Sequence, residues 1–221
     1  MRCLALDFAG PVGQMAIADE TGTRLVDSRP AGPGTVEGLV PFLLAGLTKE
    51  GFIAADIDLF VATTGPGSFT GIRAGLAAAN GFALAADRPL FGLTVFDALA
   101  LSYAQAERPL LIALDGRRSD IFVQARAPGG TPLGEPTNRD PDDIHTMAPA
   151  GPIALAGTAT KPALDGLVRT GRAVSELEVL ANADRVDIAH LATMGTERPD
   201  WTTASPPLPF YGRDPDARRP A

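Results

Sequence analysis

Two aspartates are the residues best placed to do chemistry, because each follows a short apolar run. Asp7 closes the run Leu4–Asp7 (LALD), and Asp115 closes the run Ile112–Asp115 (IALD). A carboxylate at the carboxyl end of a strand can hold a divalent cation beside a phosphate. The pair is therefore a candidate nucleotide-facing site, and the alternative is that both aspartates only cap turns.

The loops that follow the two aspartates bear on that choice. Residues 8–11 read FAGP and lack the hydroxyl- and glycine-rich turn that wraps a phosphate, whereas residues 116–119 read GRRS and can meet an anion. We therefore expect no cofactor for the chain alone, with ATP or ADP bound only weakly or at a partner interface.

A third candidate is the glycine-rich segment between a predicted strand and a predicted helix. It consists of Gly65, Pro66, Gly67, Ser68, Phe69, Thr70 and Gly71. Backbone N–H groups at a helix N-terminus favour anions, but no Gly-Lys-Ser/Thr follows, so the segment is not a Walker A loop. Local chemistry favours a tight turn with Ser68 as the helix N-cap.

Few other residues support hydrolytic or metal chemistry. The only histidines, His145 and His190, form no metal-ligand pair, and Ser68 lies outside a Gly-x-Ser-x-Gly elbow. Cys3 lies in an apolar run, which predicts a buried, inert thiol. We therefore predict no catalytic residue and no metal site in this chain.

Composition excludes several classes of protein. The 221 residues are 45% hydrophobic with a net charge of −7, so the chain can form a core, and its acidic surface disfavours nucleic-acid binding by the chain alone. The only basic candidate is the tail, with Arg213, Arg218 and Arg219. No signal peptide or transmembrane segment is apparent, which predicts a soluble cytoplasmic protein without a membrane partner.

Hydrophobic periodicity predicts an α/β chain. The first half has predicted strands over 2–8, 12–19, 23–28, 57–63 and 89–93, and predicted helices over 35–50, 69–86 and 94–105. The second half has predicted strands over 110–115, 119–126, 131–135 and 153–157, predicted helices over 140–147, 158–168, 176–183 and 186–196, and an extended tail over 206–220.

The order βββαβα occurs twice in this prediction, at an offset of about a hundred residues. Two such units facing each other across a cleft form the plan of the actin-like ATPase fold, with lobes over 1–106 and 107–221. The alternative is two unrelated α/β layers whose first strands happen to end alike.

The helix over 69–86 is apolar on all sides, and its only charge is Arg73. One stripe should face the sheet, namely Ile72, Leu76, Ala79 and Ala83. The opposite stripe is small and apolar, namely Ala74, Ala78, Gly81 and Ala85. Because a solvent-exposed face is normally charged, this face predicts a second contact.

The helix over 35–50 has the same property. One stripe contains Val36, Val40, Leu43 and Leu47, and a second contains Leu39, Phe42 and Gly46. The two helices therefore predict a partner interface, and the alternative is that the second half of the chain covers them. The predicted interface residues are Leu39, Phe42, Gly46, Arg73, Ala74, Ala78, Gly81 and Ala85.

Four stretches resemble the TsaB (YeaZ) family. They are Leu4–Asp7, Thr64–Arg73 with its continuation to Gly92, Ala113–Arg117, and the tail motif 209–217. The good match covers about half of the chain, mostly residues 1–125. Two departures are FAGP after Asp7, where the family is threonine-rich, and Gly212, where the family has a larger apolar residue.

The resemblance implies an actin-like fold with a reduced second lobe and a non-catalytic, cytoplasmic scaffold subunit. Such a subunit pairs through its first two helices with the catalytic homologue TsaD, and through that pair with the ATPase TsaE. The complex makes threonylcarbamoyladenosine at position 37 of tRNAs that read codons beginning with A. The resemblance also implies a homodimer when the subunit is alone, and tRNA contact only through the complex.

The catalytic homologue carries a His-x-x-x-His metal pair, and the matching positions here are Val95 and Leu99. The resemblance therefore implies neither catalysis nor peptidase chemistry, although the superfamily has been labelled glycoprotease. One rival interpretation is a small actin-like kinase or ATPase that uses Asp7 and Asp115. Another is a self-contained homodimer with a structural role.

Overall fold

The computed structural model describes residues 1–32, 34–117, 119–203 and 207–212. The first half contributes β1 (Cys3–Asp7), β2 (Val12–Asp19), β3 (Gly22–Pro30), α1 (Leu39–Lys49), β4 (Leu59–Thr63), α2 (Phe69–Ala86), β5 (Leu90–Leu93) and α3 (Val95–Ser102). The second half contributes β6 (Leu110–Asp115), β7 (Ile121–Arg126), β8 (Thr137–Arg139), β9 (Ile153–Ala156), α4 (Thr160–Arg169), β10 (Leu177–Val179) and α5 (Ile188–Glu197).

The two sheets have the same topology. Their strand orders are β3-β2-β1-β4-β5 and β8-β7-β6-β9-β10. In each sheet the first strand pairs antiparallel with the second and parallel with the fourth. The predicted repeat is thus confirmed. The counterpart of α1 in the second half is only a 3-10 helix, Pro141–Thr146, which makes that lobe the smaller one.

The hydrophobic core runs through both lobes. Helices α1 and α2 pack on one face of the first sheet, and α5 covers the other face. The second sheet packs one face against α4 and the 3-10 helix. Its other face, through Ile112, Phe122 and Ala154, joins the core of the first lobe. Burial of apolar surface at this junction holds the lobes together.

Helix α5 corrects the predicted lobe boundary. The division near residue 106 separates the two sheets, but α5 returns to pack on β1, β2 and β3. The packing is close, since a Cβ added to Gly195 would collide with Sγ of Cys3. The first lobe therefore includes residues from the end of the chain, because one face of its sheet would otherwise lie bare.

Two predicted elements are wrong. The strand predicted over 131–135 contains Pro132, which has no N–H to donate, and it makes a single bridge to Arg126, so the third strand lies at β8 instead. The helix predicted over 176–183 has helix-forming residues, but the open edge of β9 recruits Leu177–Val179 as a parallel strand. Sheet pairing there overrides helix propensity.

Helix α1 starts later than predicted. Turns occupy residues 34–38, and the helix begins at Leu39, so Pro41 lies in the first turn, where its missing N–H costs no hydrogen bond. At the other end Gly51 has a φ of 73°, as expected of a helix stop.

Residues 207–212 of the tail have no regular secondary structure, and the rest of the predicted tail, with its basic residues, lies outside the described ranges. Within those ranges no helix is long and apolar enough to cross a bilayer.

Candidate functional site: an interlobe cleft and an exposed helical face

Asp7 and Asp115 line one cleft between the two lobes, as the repeat predicts. The other walls include Pro66, Val95 and Leu99 of the first lobe and Thr158 of the second. The cleft encloses about 190 Å³, which is below the range of about 300–1,000 Å³ that is usual for small-molecule sites.

The Asp7 carboxyl is buried and committed to internal hydrogen bonds. Its Oδ1 accepts from the hydroxyl of Thr63 at 2.7 Å and from the backbone N–H of Ala9 at 3.0 Å. Burial raises the pKa of Asp7, and these hydrogen bonds oppose the rise only in part. The hydrogen bonds of the Asp7 carboxyl therefore stabilise the loop after β1 and its contact with β4.

Asp115 makes the equivalent turn at the exposed end of β6. Its Oδ1 accepts from the backbone N–H of Arg117 at 2.8 Å, as Asp7 accepts from Ala9 two residues on. Its own N–H donates to the hydroxyl of Thr158 at 2.9 Å. Both aspartates thus cap turns, and both face the cleft from opposite lobes.

The glycine-rich segment begins α2 and packs it against the loop after β1. Ser68 is the N-cap, as predicted, and its Oγ accepts from Gly71 N–H at 3.2 Å. The Ser68 N–H donates to the Ala9 carbonyl at 2.8 Å. A Cβ on Gly67 or Gly71 would collide with the backbone of the loop after β1. The glycines therefore allow close packing beneath the cleft.

The outer stripe of α2 is exposed, and apart from Arg73 and Asn80 it is apolar. The predicted sheet-facing residues Ile72, Leu76, Ala79 and Ala83 are buried. The exposed stripe is centred on Ala77, Gly81 and Leu84, and Leu84 is 79% exposed. Among the predicted interface residues, Gly81 and Ala85 are exposed, whereas Ala74 and Ala78 lie half-buried against the core.

Helix α1 presents a different stripe from the predicted one. Leu39 and Gly46 are buried, since Gly46 packs against Met15 and Leu25 of the sheet, and Phe42 is half-buried. Leu39, Leu43, Gly46 and Leu47 therefore form the face of α1 that packs on the hydrophobic core. The large exposed apolar residues are instead Val40 and Leu44 of the helix and Val36 in the turn before it, spaced four apart.

We call six exposed residues of the two helices and of the turn before α1 the docking face: Val36, Val40, Leu44, Ala77, Gly81 and Leu84. Within the described ranges the second half of the chain leaves these side chains exposed. The described part of the tail reaches α2 at its N-terminal end, where Tyr211 contacts Arg73.

The remaining candidates have no role in the cleft. His145 and His190 are exposed, one in the 3-10 helix and one in the first turn of α5. Cys3 is buried, and burial raises the pKa of its thiol, as expected of an inert cysteine. Among the described residues no cluster of His, Cys, Asp and Glu is suited to a metal ion.

Comparison with known proteins identifies the family. The family model for TsaD, tRNA N6-adenosine threonylcarbamoyltransferase, matches residues 34–146. An uncharacterised protein of Mycobacterium tuberculosis is 31% identical over 74% of this chain and 75% of its own length. Escherichia coli TsaB, a tRNA threonylcarbamoyladenosine biosynthesis protein, is 29% identical over 55% of this chain and 53% of its own. This chain belongs to the TsaB (YeaZ) family.

Solved structures confirm the fold. YeaZ from Pseudomonas aeruginosa superposes with a TM-score of 0.72 at 21% identity, over 95% of this chain and 99% of the other. The two matching sheets and their strand order are those of the actin-like ATPase fold, which confirms the predicted fold class.

Membership of the TsaB family draws attention to two residues of α3. Val95 and Leu99, which the sequence resemblance places where a catalytic homologue is expected to have its histidine pair, lie one helical turn apart and line the cleft. Both are buried and apolar. The cleft position that would hold imidazoles therefore has hydrocarbon side chains.

Sequence reasoning missed three features of the surface. It placed the exposed stripe of α2 off-centre, so Ala77 and Leu84 were omitted, and it did not include Val40 or Leu44 of α1. It also gave the tail no contact with α2. A helical-wheel plot centred on the buried stripe of α2 would have placed its exposed stripe correctly. The contact between the tail and α2 joins residues far apart in the sequence, so no local sequence pattern indicates it.

Proposed function

We propose that this chain is a non-catalytic dimerisation and scaffold subunit of a cytoplasmic complex that makes threonylcarbamoyladenosine at position 37 of tRNA. Its direct partner is a TsaD-type catalytic homologue, and a TsaE-type ATPase joins through that pair. The chain forms a homodimer when alone and meets tRNA only within the complex, on tRNAs that read codons beginning with A.

The docking face is the observation that carries this proposal. Its six residues form two apolar stripes along the neighbouring helices α1 and α2, and the most exposed of its large side chains is Leu84. Exposed apolar patches of this kind mark interaction sites. A partner of the same fold offers two equivalent helices, and such helices pack by interlocking their side-chain ridges.

The cleft supports the non-catalytic part of the proposal. Val95 and Leu99 offer no ligand to a metal ion, and the cavity is small for a nucleotide. The carboxylate of Asp7 is already used by Thr63 and Ala9. A TsaD-like reaction would need metal ligands on α3, and a kinase reaction would need a larger cleft with a free carboxylate at Asp7.

The proposal is tested with purified chain and the purified TsaD-type homologue of the same organism. Leu84→Glu places a charge at the most exposed large side chain of the docking face, where it would be desolvated on association. We expect the unaltered chain to form a heterodimer by light scattering and the variant to remain a folded monomer. Leu84 is a sharper choice than Ala78, whose half-buried position also affects the fold.

The matched control is Val174→Glu in the second lobe, where Val174 is 65% exposed but lies far from α1 and α2. This variant should bind the homologue as the unaltered chain does. A heterodimer formed equally well by Leu84→Glu would contradict the docking face. ATP turnover by the isolated chain would contradict the non-catalytic role and favour the small-kinase alternative.

A further inference from the structure

Arg73 is held in one position by two aromatic side chains. Its Nε donates to the hydroxyl of Tyr211 at 2.8 Å. Its guanidinium carbon lies 4.0 Å from the centre of the Phe69 ring. The two rings contact each other, with centres 5.0 Å apart. We call these three residues the Arg73 clamp.

The tail that brings Tyr211 to the clamp is itself fixed. The N–H of Phe210 donates to the carbonyl of Thr64 at 2.8 Å, just before the glycine-rich segment. Gly65 has no room for a side chain because the carbonyl of Phe210 lies against it. Gly212 packs on Phe122 of the second lobe, and a Cβ there would lie 2.7 Å from the Phe122 ring. Tyr211 is thus positioned from both lobes.

The clamped guanidinium lacks an anionic partner. Several arginines of the chain pair with carboxylates, as Arg108 does with Glu178 and Arg198 with Asp200. Within the described ranges no carboxylate forms an ion pair with Arg73, and its two Nη groups donate to no protein acceptor. Stacking on Phe69 and bonding to Tyr211 leave that Nη edge available, and two parallel N–H donors match a carboxylate.

The clamp adjoins the docking face. Arg73, Ala77, Gly81 and Leu84 form one continuous exposed stripe along α2. A partner that covers Ala77 and Gly81 must therefore also meet Arg73, and it would exclude water from the guanidinium. An immobilised side chain loses little rotamer entropy on binding.

We propose that the Arg73 clamp is the charged anchor of the docking face and that it takes a carboxylate of the partner subunit through its Nη edge. Phe69 and Tyr211 are positioning residues, and the tail is part of the interface. This inference rests on the proposed function. The competing anion is an RNA phosphate, which the net charge of −7 opposes.

The test measures the dissociation constant for the purified TsaD-type homologue by calorimetry. Arg73→Gln removes the charge and is expected to weaken binding roughly thirtyfold or more. Arg73→Lys keeps the charge but loses the paired donors, and should recover only part of that loss. Tyr211→Phe removes the hydroxyl that orients Nε and should weaken binding roughly twofold to tenfold.

Arg88→Gln is the matched control, because Arg88 is a partly exposed arginine just beyond the other end of α2. It should change affinity less than twofold. Thermal melts of each variant establish that the fold is intact. Raised salt should weaken binding of the homologue by the unaltered chain more than binding by Arg73→Gln, because salt screens a charge pair.

The outcomes separate the clamp from the function it serves. No binding by the unaltered chain would overturn the proposed function, and the clamp with it. If Arg73→Lys and Tyr211→Phe bind the homologue with the same dissociation constant as the unaltered chain, the clamp alone is overturned and the proposed function stands. Binding of tRNA by the chain without its partner, if lost in Arg73→Gln, would overturn the assignment to a carboxylate.

Discussion

Asp7 and Asp115 occupy equivalent turns in the two lobes, yet their surroundings differ. Asp7 lies beneath the cleft with its Oδ1 bonded to Thr63 and Ala9, whereas Asp115 remains exposed. The sequence placed both residues correctly at strand ends. Which of them is buried depends on the loop after β1 and on its packing against α2, and no local pattern encodes that difference.

Asp7→Asn is expected to stabilise the protein at neutral pH. In the unfolded chain an aspartate ionises with a pKa of about 3.9, and burial raises the pKa in the folded state. The folded state therefore binds more protons than the unfolded state between the two values, so stability falls as pH rises through that window. Asparagine avoids the buried charge, and its Oδ1 can still accept from Thr63 and Ala9.

Thermal melts from pH 4 to pH 8 measure this effect. The advantage of Asp7→Asn should be largest at pH 8 and shrink as the pH falls through the raised pKa towards 4. Asp115→Asn is the matched control, because an exposed carboxylate has no burial cost, and a change within about 0.5 kcal/mol is expected. A less stable Asp7→Asn protein at pH 7 would show that the ionised carboxylate itself stabilises the fold.

At the scale of single elements, α2 matches its prediction from Phe69 to Ala86 because its start and its buried stripe are local signals. Ser68 caps it, and apolar residues recur at helical spacing. Helix α1 was predicted less well, since the turns before Leu39 and the rotation of the helix depend on Met15 and Leu25 beneath it.

Gly81→Ala is expected to stabilise the monomer and to weaken association. Gly81 lies inside α2, and open space surrounds the position that an added Cβ would take, so alanine should add about 0.5–1 kcal/mol of stability through helix propensity. If a partner helix packs against Gly81, the added methyl group prevents the closest approach. Denaturant unfolding and the dissociation constant for the TsaD-type homologue measure the two effects.

His190→Ala is the control for this prediction, because it raises helix propensity at an exposed position of α5, which lies on the opposite face of the first sheet from α1 and α2. It should stabilise the monomer and leave the affinity unchanged. Equal affinity of Gly81→Ala and the unaltered chain would place the close contact elsewhere on the docking face.

At the scale of the whole molecule, the two lobes are joined by apolar packing and by a partly buried ion pair. Arg126 of β7 donates through Nη2 to Asp97 of α3 at 2.8 Å, and Arg126 is only 4% exposed. Asp97 also accepts from the hydroxyl of Thr94 in the cap of α3. The pair therefore links the start of a first-lobe helix to a second-lobe strand.

Asp97→Asn is expected to destabilise the protein by about 1–3 kcal/mol, because it leaves the buried guanidinium without its counter-charge. The amide oxygen can still accept from Thr94, so the helix cap is largely kept. Thermal unfolding measures the loss. Adding Arg126→Met should recover part of it, since the double variant has no buried cation. A double variant less stable than Asp97→Asn would assign the stabilisation to the other hydrogen bonds of Arg126.

The sequence by itself determined the repeated strand order, the positions of both aspartates, the extent of α2 and the family, because these depend on short-range spacing and on motif residues. Tertiary structure decided the rest. The edge of β9 turned a helix-forming segment into β10, the bare face of the first sheet brought α5 back across the lobe boundary, and the tail placed Tyr211 beside Arg73. In each case burial or hydrogen bonding between distant residues outweighed local propensity.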